Sequence, residues 1–240
     1  MDSINKFAEQ SPEKDSHAQA VQRMFSRIAR RYDLMNRLMT AGQDVRWRRE
    51  VIRLASIPPK GSLLDIGAGT GDLCREALRQ QPHCRPVAAD FTLEMMQTGR
   101  HIHPQINSWC AADAESLPFP DETFDSVVSG FLLRNVSHLP LALHEQYRVL
   151  KPGGKIVCLD TTRPTSAWFS PFVQFHLNRI IPLLGGWITG DGEAYTYLPQ
   201  STQNFLLAED LAEQMRLANF RQVNFKRWML GTIAIHWGEK

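Results

Sequence analysis

A chain of 240 residues fits one domain with a full core and leaves little room for two. Hydrophobic residues make up 43% and charged residues 22%, which excludes a disordered or fibrous chain. The net charge is +2 and no basic run is denser than Arg46, Arg48 and Arg49, so nucleic acid is not expected as a partner. Four cysteines at irregular spacing, with no C-x-x-C pair, argue against a zinc ribbon or a disulfide framework. They suit a reducing compartment. The first fifteen residues are polar and mixed in charge, unlike a signal or transit peptide, and every apolar stretch is broken short of a bilayer span. The expected location is cytoplasmic, with contact at the inner face of a membrane left open.

In chain order, residues 1–17 read as a flexible lead. Residues 18–57 read as a helical cap, since Val21, Met24, Phe25, Ile28, Ala29 and Tyr32 recur at three and four. Gly42 interrupts this cap, and Pro58-Pro59 must end its last helix. From residue 61 to 162 short apolar runs alternate with helical stretches. Strands are predicted at 62–66, 86–89, 108–111, 126–130 and 155–159, and helices at 72–80, 92–97 and 139–150. Lys151-Pro152-Gly153-Gly154 reads as a turn between a helix and the fifth strand. Residues 163–205, rich in aromatics, Pro and Gly from Trp168 to Trp187, read as a helical insertion on the acceptor side. Residues 206–240 close the chain, with a helix at 208–218 and a hairpin of 222–228 with 232–237 around Gly231. The fold class is therefore α/β: a single Rossmann-like domain with a mostly parallel seven-stranded sheet, N-terminal helices and a helical insertion.

The first strand runs into Asp65-Ile66-Gly67-Ala68-Gly69-Thr70-Gly71-Asp72. Glycines here let a ligand approach the backbone, and the next helix offers free N–H groups. A dinucleotide fingerprint needs G-x-G-x-x-G, but its third glycine position is filled by Asp72. Asp65 would also repel a pyrophosphate, and its carboxylate suits a ligand ammonium. That combination points to S-adenosylmethionine and to the class I methyltransferase fold. Asp90, at the end of the second strand with Phe91 beside it, is placed to accept from a ribose diol. Asp113-Ala114, after the third strand, is placed for the adenine amine, and Gly130 ends the fourth. Asp90 alone reads equally as a helix cap. Together Asp65, Gly67, Gly69, Thr70, Asp90, Phe91, Asp113, Ala114 and Gly130 outline a crevice at the carboxyl ends of parallel strands.

The stretches at 25–50 (FSRIARRYDLMNRLMTAGQDVRWRRE), 113–128 (DAESLPFPDETFDSVV), 133–138 (LRNVSH), 147–154 (YRVLKPGG), 195–202 (YTYLPQST) and 231–240 (GTIAIHWGEK) resemble the quinone-biosynthesis C-methyltransferases. These are the demethylmenaquinone and ubiquinone-precursor methyltransferases of the UbiE/MenG type. The resemblance implies methyl transfer from S-adenosylmethionine to the ring of a prenylated quinol. It leaves open a homodimer and peripheral contact with a membrane surface. The chain departs from the family pattern at Leu132, where a glycine is common, and at Asp160-Thr161-Thr162, where Glu-Phe-Ser is often found.

Displacement at a sulfonium needs no metal, and no metal-ligand cluster is visible; His101 and His103 read as a solvated loop. The chemistry does need an electron-rich ring and stabilisation of a phenolate. Arg134 is expected to hold the phenolate or a water, since its pKa is too high for a base, with Asn135 orienting it. The plainer reading of this pair is a loop clamp. Tyr32, with Asp33, is expected to close over the cofactor, or else to pack as a core aromatic. His236 is a weak candidate base. Other lipophilic acceptors, and a non-catalytic cofactor-binding scaffold, remain the alternatives.

Overall fold

The computed structural model describes residues 21–27, 29, 34, 36, 37, 40, 42–163 and 205–240. The lead at 1–17, Tyr32 with Asp33, and nearly all of the predicted insertion lie outside the described residues.

Residues 21–27 are helical. Helix α1 (Gln43–Ala55) follows Gly42, which sits at φ +75° as its N-cap. Alternating elements then build the sheet: β1 (Ser62–Ile66), α2 (Asp72–Gln80), β2 (Arg85–Asp90), α3 (Leu93–Ile102), β3 (Ser108–Ala111), β4 (Phe124–Gly130), α4 (Leu139–Val149) and β5 (Leu150–Thr161). Helix α5 (Ala208–Leu217), β6 (Arg221–Trp228) and β7 (Ile233–Glu239) complete the chain. The strand order is β3-β2-β1-β4-β5-β7-β6. The first five strands are parallel, and β7 runs antiparallel to both β5 and β6. The expected seven-stranded, mostly parallel sheet is thus present.

Residues alternate between the faces of a strand, so each central strand feeds two cores. Leu64, Ile66, Val127, Ile156 and Cys158 pack on one face with Ala142 and Leu143 of α4 and Leu211, Ala212 and Met215 of α5. Leu63, Val128, Val157, Leu159 and Ile235 pack on the other with Trp47, Val51, Ile52 and Ala55 of α1 and Leu73 and Ala77 of α2. Among the described residues no helix is long and apolar enough to cross a membrane.

Two local predictions are corrected. The Lys151–Gly154 turn does not separate α4 from β5. Leu150 already pairs with Phe124 and Lys155 with Ser126, so the four residues bulge from within β5, with Gly153 at φ +75°. Helix α3 runs through Gly99 to Ile102 rather than stopping at 97. A Cβ at Gly99 would lie 2.3 Å from Trp109 and 2.6 Å from the Thr70 carbonyl, so close packing overrides the poor helix propensity of glycine. Strand β3 ends at Ala111, leaving Asp113 in the loop beyond, where it forms an isolated bridge with Ser116.

Candidate cofactor and acceptor site

The parallel sheet reverses its order between β1 and β4, and crevices of this fold open at the carboxyl ends of the strands there. The turn after β1 fills that position. Gly67 (φ +65°) and Gly69 (φ +57°) take backbone conformations that side chains rarely adopt. A Cβ at Gly67 would sit 2.9 Å from Leu132 Cδ1, and one at Gly69 would sit 3.1 Å from Met95 Cε. Gly67→Ala is therefore expected to destabilise the protein by about 1–3 kcal/mol, measured by urea unfolding. An unchanged midpoint would show that the turn tolerates a side chain. Thr70 is buried in the same turn.

Asp65 lies one residue before the end of β1 and is 1% exposed. Neither carboxylate oxygen has a well-formed hydrogen bond, and the groups that approach it are the thiol and backbone N–H of Cys74. Burial pushes its pKa up to about 8; the Cys74 thiol pulls it back, and the neighbouring Asp90 carboxylate pushes it up again. A buried carboxylate so weakly partnered is costly, and a ligand ammonium is the partner that relieves the cost.

Asp90, at the end of β2, clamps the glycine turn and also holds the chain that leads into α3. Its Oδ2 accepts from the Gly69 N–H at 2.7 Å and its Oδ1 from the Thr92 N–H at 2.7 Å. The Thr92 hydroxyl and the Phe91 N–H also bear on this carboxylate, so the cap role is met in full and a ribose would share an already engaged acceptor. Burial raises its pKa, against the Thr92 and Gly69 N–H bonds that lower it. Phe91 is 43% exposed beside it, and its carbonyl accepts from Gln22 Nε2 at 3.1 Å. Ser26 donates to Glu94 at 2.7 Å. The helical stretch 21–27 thus lies over the β2–α3 connection. Asp113 is exposed and its Oδ1 is held by the Glu115 N–H at 2.9 Å, while Ala114 is buried. Gly130 ends β4 as expected and is half-buried against Leu73.

Beyond Gly130 the chain turns sharply, with Phe131 at φ +60°. Arg134 and Asn135 stand in this turn. Asn135 Nδ2 donates to the Phe131 carbonyl at 2.9 Å, which is the loop-clamp role. Arg134 is buried over the Phe131 ring, 4.9 Å from its centroid. Its Nη1 donates to Asp160 Oδ1 at 2.6 Å and its backbone N–H to Asp160 Oδ2 at 3.2 Å. Asp160, 1% exposed near the end of β5, also accepts from the Thr161 N–H at 2.7 Å. The guanidinium is therefore a neutralised, fixed group, and its buried Nε has no acceptor. Sequence reasoning noted Asp160 as a departure from the family and missed it as the partner of Arg134. The signal was an acid at the end of a fifth parallel strand.

His236 is not a solvent-facing base. It is 1% exposed, its Nε2 shares a hydrogen bond with the Ala208 carbonyl at 2.8 Å, and burial lowers its pKa to about 4. The ring ties β7 to α5. His103 is buried rather than in a solvated loop, with Nε2 3.7 Å from Asp72, whereas His101 is exposed. Asp72 also faces Arg48 at 3.2 Å and Arg75 at 3.1 Å. Arg48, bonded also to Asp44, is therefore an internal tie, while Arg46 and Arg49 stay exposed. No cluster of three metal-ligating side chains occurs among the described residues.

The model of the ubiE/COQ5 methyltransferase family matches residues 13–240. The chain belongs to the ubiE/COQ5 methyltransferase family. It is 48% identical over 226 residues to the ubiquinone/menaquinone biosynthesis C-methyltransferase UbiE of Desulfotalea psychrophila, covering 94% of this chain and 92% of that one. It is 43% identical over 234 residues to the demethylmenaquinone methyltransferase of Roseiflexus castenholzii, covering 95% and 97%. Its fold is similar to the crystal structure of the cyclase SpnF, with a TM-score of 0.68 at 17% identity, covering 93% and 96% of the two chains. It is also similar to a Haemonchus contortus phosphoethanolamine N-methyltransferase solved with S-adenosylhomocysteine. There the TM-score is 0.59 at 15% identity, covering 81% of this chain and 52% of that one.

This ubiE/COQ5 family member is an S-adenosylmethionine-dependent methyltransferase on the class I fold. Its residues fit that donor: the weakly partnered Asp65 carboxylate matches an ammonium, and the bare glycine backbone makes a cradle that a Cβ would fill.

Proposed function

We propose that this methyltransferase acts on a ring carbon of a prenylated quinol, converting demethylmenaquinol to menaquinol or methylating a related ubiquinol-type precursor. The observation that carries the reading is the Arg134–Asp160 pair, which sets a fixed guanidinium beside the glycine turn at the carboxyl ends of β4 and β5. The relatives, named for menaquinone and ubiquinone biosynthesis, support the same acceptor class, and the similarity extends through the C-terminal hairpin as well as the cofactor core.

Bound S-adenosylmethionine supplies an electrophilic methyl group. Asp65 holds its ammonium, Asp90 its ribose, and the glycine backbone lets the methionine end approach. A quinol carbon becomes a competent nucleophile when a ring hydroxyl loses its proton. Arg134 serves that state as a hydrogen-bond donor: Asp160 offsets its charge and fixes its plane, so its N–H groups are aimed in advance of the reaction. Asn135 fixes the turn that carries Arg134.

The test is label transfer from methyl-labelled S-adenosylmethionine to a short-chain demethylmenaquinol under reducing conditions, with the oxidised quinone in parallel. Label on the quinol and none on the quinone is the expected result. Equal transfer to both, or transfer only to unrelated phenols or amines, would assign another acceptor. Cofactor binding without any transfer would leave a scaffold.

A further inference from the structure

The turn between β6 and β7 is an unusual local structure. Met229 and Leu230 sit at φ +47° and φ +56°, two successive side-chain-bearing residues in the left-handed region. That conformation is strained, and strain of this kind is kept where the surroundings enforce it. Thr232 enforces it here: its N–H and its hydroxyl both donate to the Met229 carbonyl, at 3.1 and 2.8 Å. The outcome is that Leu230 is thrust outward and is 58% exposed.

The turn also has a defined place. The Thr162 N–H donates to the Thr232 carbonyl at 2.8 Å, and Ile233 pairs with Thr161, so the tip stands at the carboxyl end of β5. Arg134 and Asp160 are at the same end.

Trp228, just before the tip, lies between two cations. The Arg46 guanidinium is 5.2 Å and the Lys226 ammonium 4.8 Å from its ring centroid. Arg46, Arg49 and Lys226 are all exposed. Of the nearby acids, Glu50 takes two hydrogen bonds from Arg53 at 2.8 Å and also feels Arg46 and Lys226, and Glu209 pairs with Arg227, which leaves cations in excess. A protruding leucine beside surplus positive charge complements an apolar layer beneath negative headgroups.

We infer that the β6–β7 turn docks the carboxyl end of the sheet on an anionic lipid surface. Leu230 enters the acyl boundary, Trp228 braces the turn against the core, and Arg46 and Lys226 meet phosphates. This deepens the quinol reading and rests on it for its purpose: a prenylated acceptor resides in the bilayer, and docking by this turn presents the Arg134 end of the sheet to it.

The experiment is co-sedimentation of the full chain with vesicles of phosphatidylcholine containing 30% phosphatidylglycerol, against phosphatidylcholine alone. Binding is expected on the anionic vesicles and should fall with added salt. Leu230→Asn suits the left-handed conformation and is expected to weaken binding roughly tenfold. Arg46→Glu with Lys226→Glu should weaken it by more than tenfold, at roughly fivefold per positive charge removed. Lys60→Glu with Arg85→Glu makes the same charge change at the amino ends of β1 and β2, and should bind nearly as wild type. Transfer to a water-soluble quinol lacking a prenyl tail should be unchanged in Leu230→Asn, which separates lost docking from lost folding or a wrong acceptor. The inference is overturned if wild type ignores anionic vesicles, if the turn variants bind as well as wild type, or if the Lys60 and Arg85 changes cost as much as those at Arg46 and Lys226.

Discussion

Asp160→Ala is expected to cost about 3–5 kcal/mol of stability and to lower turnover by at least a hundredfold. The stability loss follows from leaving the buried Arg134 guanidinium without its counter-charge. The turnover loss follows from releasing its plane, which the 2.6 Å bond to Asp160 Oδ1 fixes. Arg134→Ala should destabilise by a similar amount, because Asp160 is then the uncompensated charge. The double substitution separates the two effects. Removing both charges recovers much of the stability, since a buried pair contributes little net energy over its replacement, while activity stays low. Denaturant unfolding of the four proteins, with steady-state kinetics on the same samples, makes the comparison. If the double variant is as unstable as the sum of the single variants, the pair is not the isolated charge unit that its geometry implies. If turnover recovers together with stability, Arg134 supports the loop and does not act on the acceptor.

Asp65→Asn should weaken S-adenosylmethionine binding on the order of 10- to 100-fold, the effect of losing one charge-assisted hydrogen bond of about 1.5–3 kcal/mol. A second signature is specific to the charge. With its pKa near 8, Asp65 is mostly protonated in the free protein at pH 7, and pairing with an ammonium requires it to ionise. Binding should therefore release about one proton per cofactor at pH 7, and fewer as pH rises past 8. Calorimetry in two buffers of different ionisation enthalpy measures this, and Asp65→Asn should abolish it. The stability of the cofactor-free protein carries the same sign. Asp65 binds its proton more tightly folded than unfolded, so its contribution is complete below the unfolded value of 3.8 and is lost progressively as pH rises to about 8. Proton uptake in place of release, or release that persists in Asp65→Asn, would contradict the assignment of the ammonium partner.

Much of this architecture is legible in the sequence because a parallel sheet covered on both faces imposes a strong rhythm. Ser62–Ile66, Asp72–Gln80 and Ser108–Ala111 have the bounds that apolar runs and glycine punctuation indicate. Errors arise where packing outweighs local preference. Gly99 stays inside α3 because only a bare Cα fits beneath Trp109, and Lys151–Gly154 bulges from β5 because Phe124 and Ser126 draw pairing to both sides of it. The candidate cofactor turn stands out in the sequence because Asp65 and the glycines after it are contiguous. The Arg134–Asp160 pair was not. It joins residues 26 positions apart, one in the turn after β4 and one near the end of β5, and only the pairing of β4 with β5 brings them together. The burial of Arg48 was hidden in the same way, since its partner Asp72 stands on the next helix.

The proposed reaction places a methyl group on the ring carbon of a reduced quinol. Incubation with deuteromethyl S-adenosylmethionine and a short-chain demethylmenaquinol, with carbon NMR of the isolated product, reads this directly. A deuteromethyl group bonded to the unsubstituted quinol ring carbon, formed by wild type and not by the Arg134→Ala Asp160→Ala double variant, is the predicted result. A deuteromethyl ether on a ring oxygen, or carbon methylation that survives in the double variant, would contradict the account.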